Sequence, residues 1–115
     1  MDEALKALAD GTRRRILALV SQQERTAGDI AGHFTVSRPA ISQHLRVLLD
    51  AGLVSVRGDG TKRFYRADAL GLDALRSEME TLWRGRLDLL KREAEAEARA
   101  AEKAANAHEP EGETS

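Results

Sequence analysis

The 115-residue chain contains no cysteine. Disulfide frameworks, thiolate metal sites and thiol redox switches are therefore excluded. Aromatic residues make up only 3% of the sequence against 42% hydrophobic overall, so the core has to be built from Leu, Ile, Val and Ala. No apolar run approaches the ~20 residues needed to cross a bilayer. The opening "MDEALKALAD" is acidic and amphipathic, unlike a secretion signal. A soluble cytoplasmic protein without a membrane partner is expected. There is no nucleophile–base–acid set, glycine-rich phosphate loop or metal-ligand cluster, so neither an enzyme nor a cofactor is expected.

Net charge is also small, −1 at neutral pH, but the average hides a division. Residues 1–66 hold 11 Lys/Arg against 7 Asp/Glu, whereas residues 67–115 hold 7 against 12. Local charge decides whether a face attracts phosphates, and the first part of the chain is the basic one.

The hydrophobic period sets the organisation. A short helix covers about residues 3–9, with Leu5 and Leu8 on one side. Asp10 has the side chain of an N-cap, and "GTRRRILALVSQQ" supplies a second helix with Ile16, Leu17, Leu19 and Val20 as its apolar part. Thr26 caps a third, "AGDIAGHF", in which Ile30 and Phe34 lie four apart. Ser37 opens a fourth, with Pro39 in the first turn, where a missing N–H costs nothing. Gly52 follows it where helices commonly exit through a left-handed residue. "LVSVR" and "KRFYR" then favour strands joined by "GDGT", and from about Ala69 the helical period returns for a long stretch.

This order is a mainly α chain with a small β-hairpin: a short first helix, a three-helix core, a two-stranded wing and a long last helix, the plan of a winged helix-turn-helix. Residues 1–92 form the expected DNA-binding and dimerisation domain. Residues 93–115 are a helical extension rich in Ala and Glu, followed by the polar tail "HEPEGETS", expected to lack fixed structure.

Around the fourth helix, Ile41, Leu45, Leu48 and Leu49 form one apolar stripe. Ser42, Gln43 and Arg46 occupy the far side, Arg38 projects from the N-terminal end, and no acidic residue appears until Asp50. Gln and Arg can make paired hydrogen bonds to base edges, and Ser suits bases or phosphates. Taken alone, that face also fits an ordinary solvated helix. The hairpin tips the balance, because Arg57, Lys62 and Arg63 bracket its loop and suit a phosphate backbone or minor groove. Asp59 at the tip opposes that role. Arg13, Arg14 and Arg15 read most simply as a solvated face.

"LKALADGTRRRILALV", "SRPAISQHLRVLLDAGLV" and "RGDGTKRFYRAD" resemble the arsenic-repressor (ArsR) family of bacterial winged-helix repressors over roughly residues 3–68. The resemblance implies a homodimeric repressor, its own gene among the candidate targets, that binds double-stranded operator DNA through the helix beginning at Ser37 with the hairpin as wing. Ser37 and His44 join the DNA-facing set on this basis, His44 with packing beside Leu45 as the equal alternative. The resemblance also implies a dimer interface of the first and last helices, here Leu5, Leu8, Leu75, Met79, Leu82, Trp83 and Leu89. Gly11 stands where the family commonly has proline. Gly85 falls on the interface face, where close approach of another helix or a tolerated kink would each account for it.

Many family members sense metals, but the ligands are missing here. His33, His44 and His108 are the only histidines, each on a separate element, with no i, i+4 pair to face one ion. His33 reads as a helix-surface residue and His108 lies in the tail. A small organic effector, or control by protein level with none, fits the sequence equally. The competing class is a winged-helix protein-interaction module that does not bind DNA. Salt-dependent binding of a palindromic duplex separates the two, since phosphate contacts release counterions. Adding zinc or a chelator should leave DNA affinity unchanged; a tenfold shift with stoichiometric metal, read in a titration, would point back to the histidines.

Overall fold

Caps set where the second, third and fourth helices begin. In a computed structural model, which describes the backbone of residues 1–113 and the side chains of residues 1–107, the order is α1 (Asp2–Leu8), α2 (Gly11–Gln22), α3 (Ala27–Ala31), α4 (Arg38–Asp50), β1 (Val54–Asp59), β2 (Lys62–Ala67) and α5 (Ala69–Glu113). The Asp10 carboxylate accepts from the Arg13 amide at 3.1 Å, Thr26 Oγ1 from the Asp29 amide at 3.1 Å and Ser37 Oγ from the Ala40 amide at 3.3 Å. Each satisfies an amide that the first turn leaves unpaired. That amide of Arg13 is also the main reason the Asp10 carboxyl titrates below the usual carboxylate range.

The core is aliphatic. Ile16, Val20, Ile30, Ile41, Leu45, Leu48, Leu53 and Val54 are all buried, with α4 touching α1, α2, α3 and β1. On α1 the buried residues are Ala4 and Ala7, not Leu5, which is 39% exposed, while Leu8 is half-buried. Small side chains bring this short helix close to α2 and α4. The third helix is also shorter than its apolar spacing predicts. It stops at Ala31, and two tight amide bonds, His33 to Ile30 at 3.0 Å and Phe34 to Ala31 at 3.2 Å, carry the chain into the turn. Phe34 and His33 therefore lie beyond the helix, and the guanidinium of Arg15 covers the Phe34 ring at 4.6 Å.

The exit from α4 is a Schellman turn. Gly52 takes φ 75°, its amide donates to Leu49 O at 3.0 Å, and the Leu53 amide reaches back to Leu48 O at 3.0 Å. Leu53 and Leu48 are both fully buried, the apolar contact that accompanies such turns. The strands that follow pair antiparallel from Val54↔Ala67 to Asp59↔Lys62. The loop is thus shorter than "GDGT": Gly60 and Thr61 alone make the turn, with Gly60 at φ 63° as its first central residue. A third, one-residue rung lies on the outer edge of β2, where Arg25 N donates to Tyr65 O at 2.9 Å and Tyr65 N to Arg25 O at 2.8 Å.

Asp68 starts α5 by accepting the Gly71 amide at 3.0 Å. Residues Met1–Glu78 form one unit, and the chain from Met79 onward forms a second. The division at residue 92 marks something different, the point where large apolar side chains stop. His108 and the tail lie outside the described side chains. Among the described residues, no helix is long and apolar enough to cross a membrane. Within the first unit Leu75 is buried (8% exposed), whereas Leu82, Trp83, Leu87, Leu89 and Leu90, all in the second, are about half exposed. Nothing in the described chain comes within 4 Å of a Cβ built on Gly85.

Gly71 is the close-packed glycine instead. A Cβ there would lie 1.7 Å from the carbonyl oxygen of Gly52. No side chain fits, and the obstacle is backbone. Gly71→Ala should therefore cost at least ~2 kcal/mol, the scale of an overpacked core, by separating α5 from the α4 exit. Urea denaturation followed by circular dichroism checks it; a midpoint equal to wild type would mean the crossing opens without cost.

Candidate nucleic-acid interface

Burial of Ile41, Leu45 and Leu48 turns the opposite side of α4 outward, and Arg38, Ser42, Gln43 and Arg46 are all exposed there. Arg46 pairs with Asp50 at 3.3 Å, but both side chains are open to water, so the pair is weak and readily exchanged. Lys62 and Arg63 on β2 are likewise exposed. A cleft of about 560 Å³ lies between the helix-turn-helix and the wing, lined by Thr26, Gly28, Arg38, Ser42, Thr61, Lys62, Arg63 and Tyr65 among others. It brings the start of α4 and the cations of the hairpin onto one concave surface.

Three other expected site residues are committed elsewhere. The Ser37 hydroxyl is occupied as the cap of α4. His44 is half-buried, and its Nδ1 lies 3.3 Å from Arg13 Nη1, so in this arrangement Nδ1 accepts and the ring proton sits on Nε2. Of the two roles considered for His44, the contact found is internal. Arg57 is gripped by Glu24: its Nε donates to Oε2 at 2.8 Å and its Nη2 to Oε1, while the guanidinium stacks 4.7 Å over the Phe64 ring. Hydrogen bonding to Arg57 holds the Glu24 carboxyl below its ordinary range, and the same bonds raise the guanidinium. The pair is accordingly charged at neutral pH.

Arg13, Arg14 and Arg15 are more than a solvated face. Arg13 donates to Ala7 O at 2.7 Å and Lys6 O at 3.2 Å, and Arg14 to Leu8 O at 2.7 Å. They bond to the C-terminal carbonyls of α1, of which Lys6 O also accepts the Ala9 amide. Arg25 does similar work between α2 and the wing, donating to Leu19 O at 3.2 Å and to Asp29 Oδ2 at 3.1 Å and approaching His33 Nε2 at 3.3 Å. Nothing in the local pattern marks Glu24 or the Arg25–Tyr65 rung, because those partners are distant in sequence, whereas Arg25 and Asp29 are only four apart. Among the described residues, no three His, Asp or Glu side chains are grouped as a metal site would need.

A family model described as "Bacterial regulatory protein, arsR family" matches residues 10–56. The chain is 48% identical over 82 residues to the HTH-type transcriptional regulator Rv2034 of Mycobacterium tuberculosis, covering 71% of this chain and 77% of that one. It is 45% identical over 65 residues to the transcriptional repressor SdpR of Bacillus subtilis, covering 56% and 72%. Its fold matches the solution structure of the homodimeric winged helix-turn-helix DNA-binding domain Mb0332 from Mycobacterium bovis, a possible ArsR-family regulator, with TM-score 0.59, 31% identity and 72% and 77% coverage. With its exposed α4 face, its basic wing and these relatives, the chain belongs to the ArsR family of bacterial regulatory proteins and is a winged helix-turn-helix, DNA-binding transcriptional regulator.

Proposed function

We propose that the protein is a homodimeric, non-enzymatic repressor that acts on DNA in the cytoplasm and reads an imperfect palindromic operator. The observation that carries this is the shared surface of α4 and wing, on which Arg38, Ser42, Lys62 and Arg63 meet, while the carboxylate that also lines it, Asp29, is paired with Arg25. Gln43 and Arg46, farther along α4, point base-reading donors into the major groove, while Lys62 and Arg63 track phosphate. Ser37 contributes by orienting the first turn of α4, whose free amides favour a phosphate. Repression is supported by the function named for SdpR, and dimerisation by the homodimer named for Mb0332.

Readout and steering are separable. Gln43→Ala should cost about 1–3 kcal/mol on the specific site and relax its sequence preference. Lys62→Ala should weaken all DNA alike and reduce the salt slope by roughly one. Fluorescence anisotropy on operator and scrambled duplexes over a salt series measures both. Unchanged specific affinity for the Gln43 variant would remove that residue from base reading.

The dimer rests on the exposed Leu82, Trp83 and Leu89 of α5, with half-buried Met79 beside them and Leu5 and Leu8 offered by α1. Leu75, assigned to the same face by its spacing, is buried within its own unit. An apolar face of this kind is better covered than wet. Two-fold symmetry sets the paired α4 helices about one DNA turn, ~34 Å, apart. Replacing Leu82 and Leu89 by glutamate should yield a monomer in sedimentation that holds a full site no better than a half site. A wild-type monomer, or a double variant still tight on the full site, contradicts the model.

A further inference from the structure

The Glu24–Arg57 pair is not needed to bury anything, since both side chains are partly exposed. Its location gives it another consequence. Glu24 precedes Arg25, whose backbone makes the rung on Tyr65, so one dipeptide joins β2 by its backbone and β1 by a carboxylate. Arg57 faces Phe64 across the ladder, and its guanidinium crosses that ring to reach Glu24. A second carboxylate, Asp59, stands 4.0 Å from Arg57 Nη1. Lys62 and Arg63, on the same hairpin, have no such partner among the described residues.

From this geometry we infer that Glu24 is a specificity residue: it keeps the charge of Arg57 in an internal pair, so that the wing offers DNA one cation fewer, with Lys62 and Arg63 left at its tip. The inference rests on the DNA-binding reading above. Phosphate contacts raise affinity for every sequence, whereas base contacts raise it for one, so each cation withheld from phosphate widens the ratio between operator and other DNA. A bidentate carboxylate suits this role because it matches the two parallel N–H groups of a guanidinium and leaves the pair neutral. The pair also holds the hairpin at a set angle to α2, which limits how far the tip can follow a non-cognate groove.

The test compares three single variants with wild type on operator and scrambled duplexes across a salt series, after circular dichroism has confirmed that each folds. Glu24→Gln frees Arg57 and should tighten scrambled DNA several-fold, steepen its salt slope by about one and narrow the operator preference. Glu3→Gln removes the same charge from α1, remote from the wing, and should do little. Arg57→Gln should leave the slope on scrambled DNA as in wild type, because Arg57 makes no phosphate contact to lose; this variant decides the matter if Glu24→Gln does not fold. If Glu24→Gln gains no more than Glu3→Gln, or if Arg57→Gln lowers the slope by about one, Glu24 does not withhold Arg57. If wild type binds no duplex in a salt-dependent way, the DNA-binding reading itself fails, a result distinct from either.

Discussion

Helix α4 has one apolar side, and everything that meets DNA follows from where that side goes. Ile41, Leu45 and Leu48 are at most 1% exposed, packed where α1, α2, α3 and β1 converge. Full burial of a Leu or Ile contributes ~1.5–3 kcal/mol, so rotating the helix by even a quarter turn would cost several times the strength of any surface contact. The outward direction of Ser42, Gln43 and Arg46 is thus a result of core packing rather than of anything those polar residues do among themselves. The Schellman turn at Gly52 extends the constraint, because Leu53 completes the core and commits the chain to the strand that becomes the wing.

A core this poor in aromatics has few polar tips of its own, and arginine fills that need. Arg13 and Arg14 close the end of α1, Arg15 covers Phe34, Arg25 links α2 to α3 and the wing, and Arg57 joins the wing to Glu24. A guanidinium suits these places because it offers five donors on a planar group and stays charged at any physiological pH. Much of the basic character of the first part of the chain is therefore spent on structure. Arg38, Lys62 and Arg63, for which no ion pair is found among the described residues, line the cleft. No buried side-chain donor or acceptor is orphaned among the described residues.

Much of the fold was legible in the sequence. Asp10, Thr26 and Ser37 are caps as their side chains predict, the α4 stripe is the core stripe, and Gly52 takes the left-handed conformation. What misled was reading large apolar residues as buried by type: on α1 the contact residues are Ala4 and Ala7, because a close helix crossing selects for small size. Gly71 was missed for the same reason. Its neighbour in space is Gly52, and the carbonyl that excludes a side chain there belongs to another element.

Caps, periods and turns depend on residues three or four apart, so the amino-acid order by itself determined the elements, their boundaries to within a few residues, and which side of α4 is polar. Some charges are committed locally, as Arg25 to Asp29 and Arg46 to Asp50 four positions on, but others depend on residues far apart. Arg13 meets His44 across 31 positions, and Arg57 meets Glu24 across 33. Only the tertiary structure decided these long-range pairs, because residues on different elements meet within a few ångströms in space and a large sequence separation carries no information about that distance.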